Sequence, residues 1–405
     1  LPGSAGGIET NLLALLRALA ALDESGEQVV IGPGGESEWL RPHLGPRQSI
    51  LAWPPIRYTP DGKRDRPADR IRAAVRAWRT RTARTPAVLW RALHDQRSSE
   101  GERITRALID RGVRLVHFPY QRHFPTSLPS IFEPWDLQHR HHPEFFTPDE
   151  IALREHIYGT GCAAASIVVT ASEWSKRDLV RQFDLDPDKI TVIPRGVVIP
   201  PPPCRAEATS TIAALGLSDR FALYPAKAWP HKNHLRLFEA LALLRDRRGI
   251  VVPLVCTGKP VDDHWPRIHE GLRRWGLERS VRFTGQVSAE VMSALYVCAE
   301  LLVFPSLFEG LGIPLLEAMH HGLPIASSTA TCLAEVGGDA AVYFDPESSD
   351  SIAEGIHRLW QDRDLQAACR AAGTVRLTRF DWGTAARQFQ GCYTQLARTT
   401  GKDRG

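Results

Sequence analysis

Glu309 and Glu317 stand eight residues apart in Phe308-Glu309-Gly310-Leu311-Gly312-Ile313-Pro314-Leu315-Leu316-Glu317-Ala318-Met319. A carboxylate accepts hydrogen bonds and repels phosphate, so a pair of them addresses hydroxyl groups. A helix that starts between them offers unpaired N–H groups and partial positive charge, which suit a phosphate. Together these features point to a phosphorylated, sugar-like ligand. On spacing alone a second reading stands beside it. Glu309 is then a solvated loop charge, and Glu317 an acidic residue of the first helical turn stabilised by the helix dipole.

A second constellation is Tyr224-Pro225-Ala226-Lys227-Ala228-Trp229-Pro230-His231-Lys232-Asn233. Lys227 and Lys232 follow an apolar strand pattern and precede a helix, and two ammonium groups on one such loop can neutralise a diphosphate. Taken alone, they also read as surface lysines. Gly6-Gly7 precedes the first helical pattern and would let the backbone approach a phosphate, but without a GxGxxG pattern a plain helix-entry turn fits as well. Histidines crowd Trp135-Asp136-Leu137-Gln138-His139-Arg140-His141-His142. Adjacent histidines on a loop diverge and no ligand spacing elsewhere completes a set, so no metal site is expected. There is no GxSxG and no cysteine beside an obvious base.

These residues need elements to hold them. Leu301 to Phe304 reads as a buried strand that Gly310 and Gly312 break into a loop. Pro314 suits the start of a helix, Gly322 its end, and Pro324-Ile325-Ala326 begins the next strand. Upstream, helices are expected from Ile8 to Leu22, Pro148 to Ala165 and Glu173 to Phe183, alternating with strands at Gln28–Ile31, Arg114–Phe118, Ser166–Thr170 and Ile190–Ile193. Pro200-Pro201-Pro202-Pro203 continues neither helix nor sheet and marks a linker. Beyond it the alternation restarts: strand Phe221–Tyr224, helix Asn233–Arg245, strand Val251–Cys256, helix Trp265–Trp275, strand Val281–Phe283 and a helix capped by Ser288 reaching Ala299. Such βαβ alternation on both sides of a linker predicts an α/β protein of two doubly wound, Rossmann-like domains facing across a cleft. The expected domains are 1–198, 199–380 and a C-terminal helix over 381–405 that packs back on the first. Gly6-Gly7 would ordinarily follow a strand, and none precedes it, as in a truncated N-terminus.

The 405 residues suffice for two domains, and no apolar run approaches the roughly 20 residues of a membrane span. The seven cysteines are scattered with no CxxC pair, which argues for a reducing, cytoplasmic setting. The net charge of +4 conceals a basic stretch between Arg57 and Arg97, which alone carries more positive charge than the whole chain. Ile71, Val75 and Trp78 give it one apolar stripe among arginines. It reads as a solvated surface helix or as contact with anionic lipid headgroups. The aromatic interleaving of an RNA-binding module is missing, so nucleic acid is not an expected partner.

Taken together, the segments resemble the retaining nucleotide-sugar glycosyltransferases of family 4, which have the GT-B fold. Glu309 through Glu317 is similar to that family's E-x7-E signature, and Lys227 and Lys232 to its basic pair on the donor diphosphate. The first of that pair is usually arginine, so Lys227 lacks the bidentate geometry. Thr170-Ala171-Ser172-Glu173-Trp174-Ser175, Val192-Ile193-Pro194-Arg195-Gly196-Val197 and Glu335-Val336-Gly337-Gly338 are similar to further family segments. Asp136-Leu137-Gln138-His139 resembles an active-site loop, in which family members often carry histidine where this chain has Trp135.

The resemblance implies transfer of a hexose, of mannose or glucose type, from a nucleoside diphosphate sugar to a hydroxyl of a glycan or lipid-linked acceptor. Configuration would be retained by a front-face route without metal. Glu309, Lys227, Lys232 and His139 are its catalytic candidates. Gly6, Gly7, Gly310, Leu311, Gly312 and Glu317 are its donor-binding candidates, with Glu309 on the sugar and Glu317 on the ribose. No cofactor is implied beyond a donor of GDP- or UDP-sugar type. The expected setting is the cytoplasm, with peripheral contact of residues 57–97 on the inner membrane face. Two other readings share the motif: another GT-B enzyme, such as a sugar-nucleotide epimerase, and a noncatalytic sugar-nucleotide or anionic-surface binding protein.

Overall fold

A computed structural model describes residues 7–22, 28–53, 101–261 and 264–402. Gly6 and the basic stretch 57–97 lie outside the described residues. By compactness the chain divides into two units. One takes the described residues of Leu1–Pro119, His123–Ile131 and Ala386–Gly405; the other takes Tyr120–Arg122 and Phe132–Ala385.

In the first unit, helix Gly7–Ala20 buries Ala14, Leu15, Leu16 and Leu19 at the spacing of one apolar face. Strands β1 (Gln28–Pro33) and β2 (Gln48–Trp53) pair in parallel, Gln28 opposite Gln48. Buried Gln48 donates through Nε2 to the carbonyl of Leu16 at 2.7 Å, tying β2 to the helix. Next comes strand β3 (Val116–Phe118), where His117 lies against Phe389 and hydrogen-bonds the Tyr393 hydroxyl at 2.8 Å. Phe389 and Tyr393 belong to the long helix Trp382–Lys402.

β4 (Ser130–Phe132) leads into the second unit, where β5 (Ile167–Thr170) and β6 (Ile190–Val192) pair in parallel. Helix Pro148–Ala164 begins with a full capping box between Thr147 and Glu150, and helix Glu173–Phe183 is capped by Ser172. After the irregular proline run comes a six-stranded parallel sheet. Its strands are β7 (Ala222–Pro225), β8 (Leu254–Thr257), β9 (Val281–Phe283), β10 (Leu301–Phe304), β11 (Ile325–Ser328) and β12 (Ala341–Phe344). Their order is β12-β11-β10-β7-β8-β9.

The chain therefore winds outward in one direction from β7 and in the other from β10. These two strands are neighbours, with Leu302 opposite Leu223. The crevice beyond their carboxyl ends is a topological switch point, where open α/β sheets bind ligands. β7 and β10 are almost wholly apolar because helices cover both faces of the sheet, and Phe221 through Tyr224 and Leu301 through Phe304 are all fully buried. Among the described residues no helix is long and apolar enough to cross a membrane.

Candidate active site

Three loops converge beyond the switch point. The first follows β7 and carries Lys227 and Lys232. It is pinned from below, since the Tyr224 hydroxyl donates to the carbonyl of Lys232. The next residue, Asn233, adopts φ +63° and reaches back with Nδ2 to the carbonyls of Pro305 at 3.0 Å and Pro346 at 2.8 Å. The second loop follows β10 and carries Glu309, and its Leu307 N–H donates to the carbonyl of His231 at 2.8 Å.

The third loop follows β11. Thr331 there accepts the Glu309 N–H at 3.1 Å and donates its hydroxyl to the Glu309 carbonyl at 2.8 Å. A β-branched residue rarely adopts positive φ, yet Thr331 has φ +53°. The paired hydrogen bonds hold it there and fix the Glu309 backbone.

Lys232 Nζ and the Glu309 carboxylate form an ion pair with both side chains largely buried. The structure thus joins the second basic residue of one motif to the first acidic residue of the other, 77 positions apart. Lys227 lies on the same loop, half-buried, with no side-chain hydrogen bond or ion pair among the described residues.

Gly310 and Gly312 shape the second loop. Gly312 has φ +76° and caps helix Ile313–His320, and a Cβ there would meet Leu333 at 2.5 Å. A Cβ on Gly310 would lie 3.3 Å from the Trp135 carbonyl and 3.4 Å from Asp136 Cβ, so the 135–136 segment passes directly over it. Between the glycines, Leu311 is buried in the core and offers a ligand only its backbone. Phe308 packs against His141, His142 and Trp174 at ring separations of 5.2, 6.1 and 5.5 Å.

Glu317 departs from its expected place. The helix begins at Ile313, so Glu317 is its fifth residue, and the first turn holds no acidic side chain. The dipole reading therefore fails for it. Its Oε2 accepts the Tyr296 hydroxyl at 2.6 Å, and burial pushes its pKa up, with that hydrogen bond opposing the shift. Tyr296 is stacked on His321, whose Nδ1 donates to the Glu317 carbonyl at 2.8 Å while Nε2 lies 2.8 Å from the Ser293 hydroxyl. A carbonyl only accepts, so His321 carries its proton on Nδ1.

The histidines diverge, as adjacent loop residues should. His141 pairs with Asp178 at 2.9 Å, His142 with Glu144 at 3.0 Å, and His139 lies 3.1 Å from Glu155. His139 is fully buried between Tyr158 and Phe146, and burial lowers its pKa to about 4 against the pull of Glu155. Among the described residues His139 makes no hydrogen bond or ion pair with Lys232 or Glu309. Gly7 begins helix Gly7–Ala20 in the other unit. Among the described residues no three His, Cys, Asp or Glu side chains are grouped to hold a metal ion.

Sequence reasoning missed Thr331 and Tyr296. It marked Asp136 through His139 as resembling an active-site loop but not the support that Glu133 and Arg195 give that segment. Thr331 and Tyr296 act through contacts that no local pattern carries.

Residues 5–199 match the family described as Glycosyltransferase Family 4, and residues 220–362 match Glycosyl transferases group 1. Among curated relatives, the O-antigen chain mannosyltransferase B of Escherichia coli is 30% identical over 261 residues, covering 63% of this chain and 67% of that protein. The chain belongs to the family 4, group 1 glycosyltransferases. It is an enzyme family, and the loops around Lys232 and Glu309 lie within the group 1 match. The serotype-specific mannosyltransferase WbdA of Escherichia coli is 31% identical over 185 residues, 45% of this chain, which spans only 23% of that relative. Among solved structures, Anabaena HepE in complex with UDP and glucose superposes with a TM-score of 0.66 at 18% identity, covering 97% of each chain. This likeness shows the GT-B fold.

Proposed function

We propose that this glycosyltransferase moves a mannose-type hexose from a nucleoside diphosphate sugar to a hydroxyl of a growing glycan or lipid-linked acceptor, with retention at the anomeric carbon. The observation that carries the reading is the Lys232–Glu309 pair at the switch point, a cation and a carboxylate in contact. The names of the two mannosyltransferase relatives support the sugar and a polysaccharide acceptor, and the complex of HepE with UDP supports a GDP- or UDP-linked donor.

In this reaction the bond from the anomeric carbon to the β-phosphate oxygen breaks, and its electron pair stays on the diphosphate. Lys232 and the unpaired Lys227 stabilise that growing charge more in the transition state than in the ground state. The acceptor oxygen bonds to the anomeric carbon on the face that the phosphate leaves, and its proton passes to the departing phosphate oxygen. Glu309 exchanges its contact with Lys232 for hydroxyls of the transferred sugar, and Glu317, through its remaining oxygen, takes a ribose hydroxyl. The lysines supply the positive charge, so the reading includes no metal and no cofactor. In this reading residues 1–198 carry the acceptor contacts and 199–380 the donor contacts, in an enzyme working at the cytoplasmic membrane face.

A thermal-shift panel of GDP-, UDP-, ADP- and dTDP-sugars tests the donor. One GDP- or UDP-hexose should raise Tm and turn over with glycan acceptor. A protein shifted by none of them, or one that converts donor without acceptor, would contradict the reading.

A further inference from the structure

Trp135 has φ +70°, a conformation that bulky residues avoid, and the Asp136 N–H closes back onto the Pro134 carbonyl at 3.0 Å. This is a tight γ-type turn centred on the indole. Two buried side chains hold it. The Arg195 guanidinium lies 4.2 Å from the centre of the Trp135 ring and forms an ion pair with Glu133. A buried ion pair capped by an aromatic face is a rigid support, because losing either partner strands a charge.

The turn aims Asp136. Its Oδ1 accepts the Gln138 N–H at 3.2 Å, whereas Oδ2 has no donor among the described residues. Oδ2 points at Gly310, 3.6 Å from where a Cβ would sit, and so lies beside Glu309. Burial and the neighbouring Glu309 push the Asp136 carboxyl up, while the Gln138 N–H, Arg154 and Lys232 pull it down. A half-buried carboxylate oxygen in this position beside Glu309 can accept a hydrogen bond from a ligand that enters the site. Phosphate oxygens supply none; a sugar hydroxyl does.

We propose that Asp136 Oδ2 accepts a hydrogen bond from a hydroxyl of the acceptor sugar at the reaction centre, and that Trp135, clamped by Arg195 and Glu133, is its positioning residue. The assignment to acceptor rests on the proposed function, in which Glu309 already serves the donor sugar. Asp136 comes from the segment matched by the family 4 model, outside the group 1 match that holds Glu309.

The test compares Asp136→Asn with wild type in three measurements: transfer to a glycan acceptor, hydrolysis of donor without acceptor, and calorimetric affinity for the nucleoside diphosphate. Wild-type turnover of donor establishes the underlying reading separately. The ratio of transfer to hydrolysis should fall roughly ten- to a hundredfold, with nucleoside diphosphate affinity unchanged. Equal loss of transfer and hydrolysis would place the contact on the donor, and unchanged transfer would remove it; either overturns the proposal. For the positioning role, Trp135→Asn, which tolerates positive φ, should raise acceptor KM less than Trp135→Val, which does not. Equal effects from the two would show that the turn does not position Asp136.

Discussion

The Glu335 carboxylate accepts the backbone N–H of Trp174 at 2.8 Å and, with its other oxygen, that of Glu173 at 2.7 Å. Ser172 Oγ takes the Ser175 N–H at 3.1 Å, so three donors at the start of helix Glu173–Phe183 are satisfied by two side chains. A carboxylate at a helix N-terminus gains from the dipole as well as from charge-assisted hydrogen bonds.

Glu335→Ala should therefore destabilise the protein by about 1.5–3 kcal/mol. Glu335→Gln, which keeps an acceptor but no charge, should cost less. Urea unfolding midpoints check the order, and equal stability of all three proteins would contradict it.

Lys232→Ala should weaken binding of the free nucleoside diphosphate, because it removes a charge-assisted contact worth roughly tenfold or more. It also leaves Glu309 without its partner, so Lys232→Arg should restore part of the affinity. Unchanged affinity in calorimetry would count against a diphosphate role for this lysine.

Glu317 Oε2 is held by Tyr296, and its Oε1 takes no hydrogen bond among the described residues. If that oxygen takes a ribose hydroxyl, wild type should bind a ribonucleoside diphosphate more tightly than its dideoxy analogue. In Glu317→Ala the two should bind alike. A discrimination ratio that survives the substitution would move Glu317 out of the donor site and leave it a helix-packing residue.

Burial lowers the pKa of His139 to about 4 and that of His234 to about 3, against 6.5 for the free side chain. Below pH 6.5 the unfolded chain takes up protons that the folded chain refuses, so stability is full above that value and falls as the solution is acidified. Tm should drop between pH 6.5 and 5. His234→Phe, in the aromatic setting of Tyr224, Phe238 and Phe283, should flatten that slope. An unaltered slope would mean that the histidine is not buried neutral.

Much of this site was legible because its parts sit in strong local patterns. Val281–Phe283, Leu301–Phe304 and helix Glu173–Phe183 fall where apolar periodicity and the caps at Ser172 and Ser288 place them. The glycines around Glu309 announce a loop at a strand end. By contrast β4, three residues between Pro129 and Pro134, is too short for any period, and β12 with the helices Ser349–Gln361 and Arg363–Leu377 went unread. Glu317 was misjudged because a start at Ile313 moves it into the second turn and toward Tyr296. The positive φ of Trp135 and Thr331 and the 161-residue reach from Glu335 to Trp174 come from tertiary contacts, which no window of sequence contains.

The central claim is that Glu309, joined to Lys232 at the switch point, binds the sugar being transferred. The most direct measurement is the transfer rate of Glu309→Ala with its active donor, alongside its affinity for the nucleoside diphosphate. Transfer should fall by at least about a hundredfold while the diphosphate still binds and the melting curve stays cooperative. Near-normal turnover by Glu309→Ala would contradict the account.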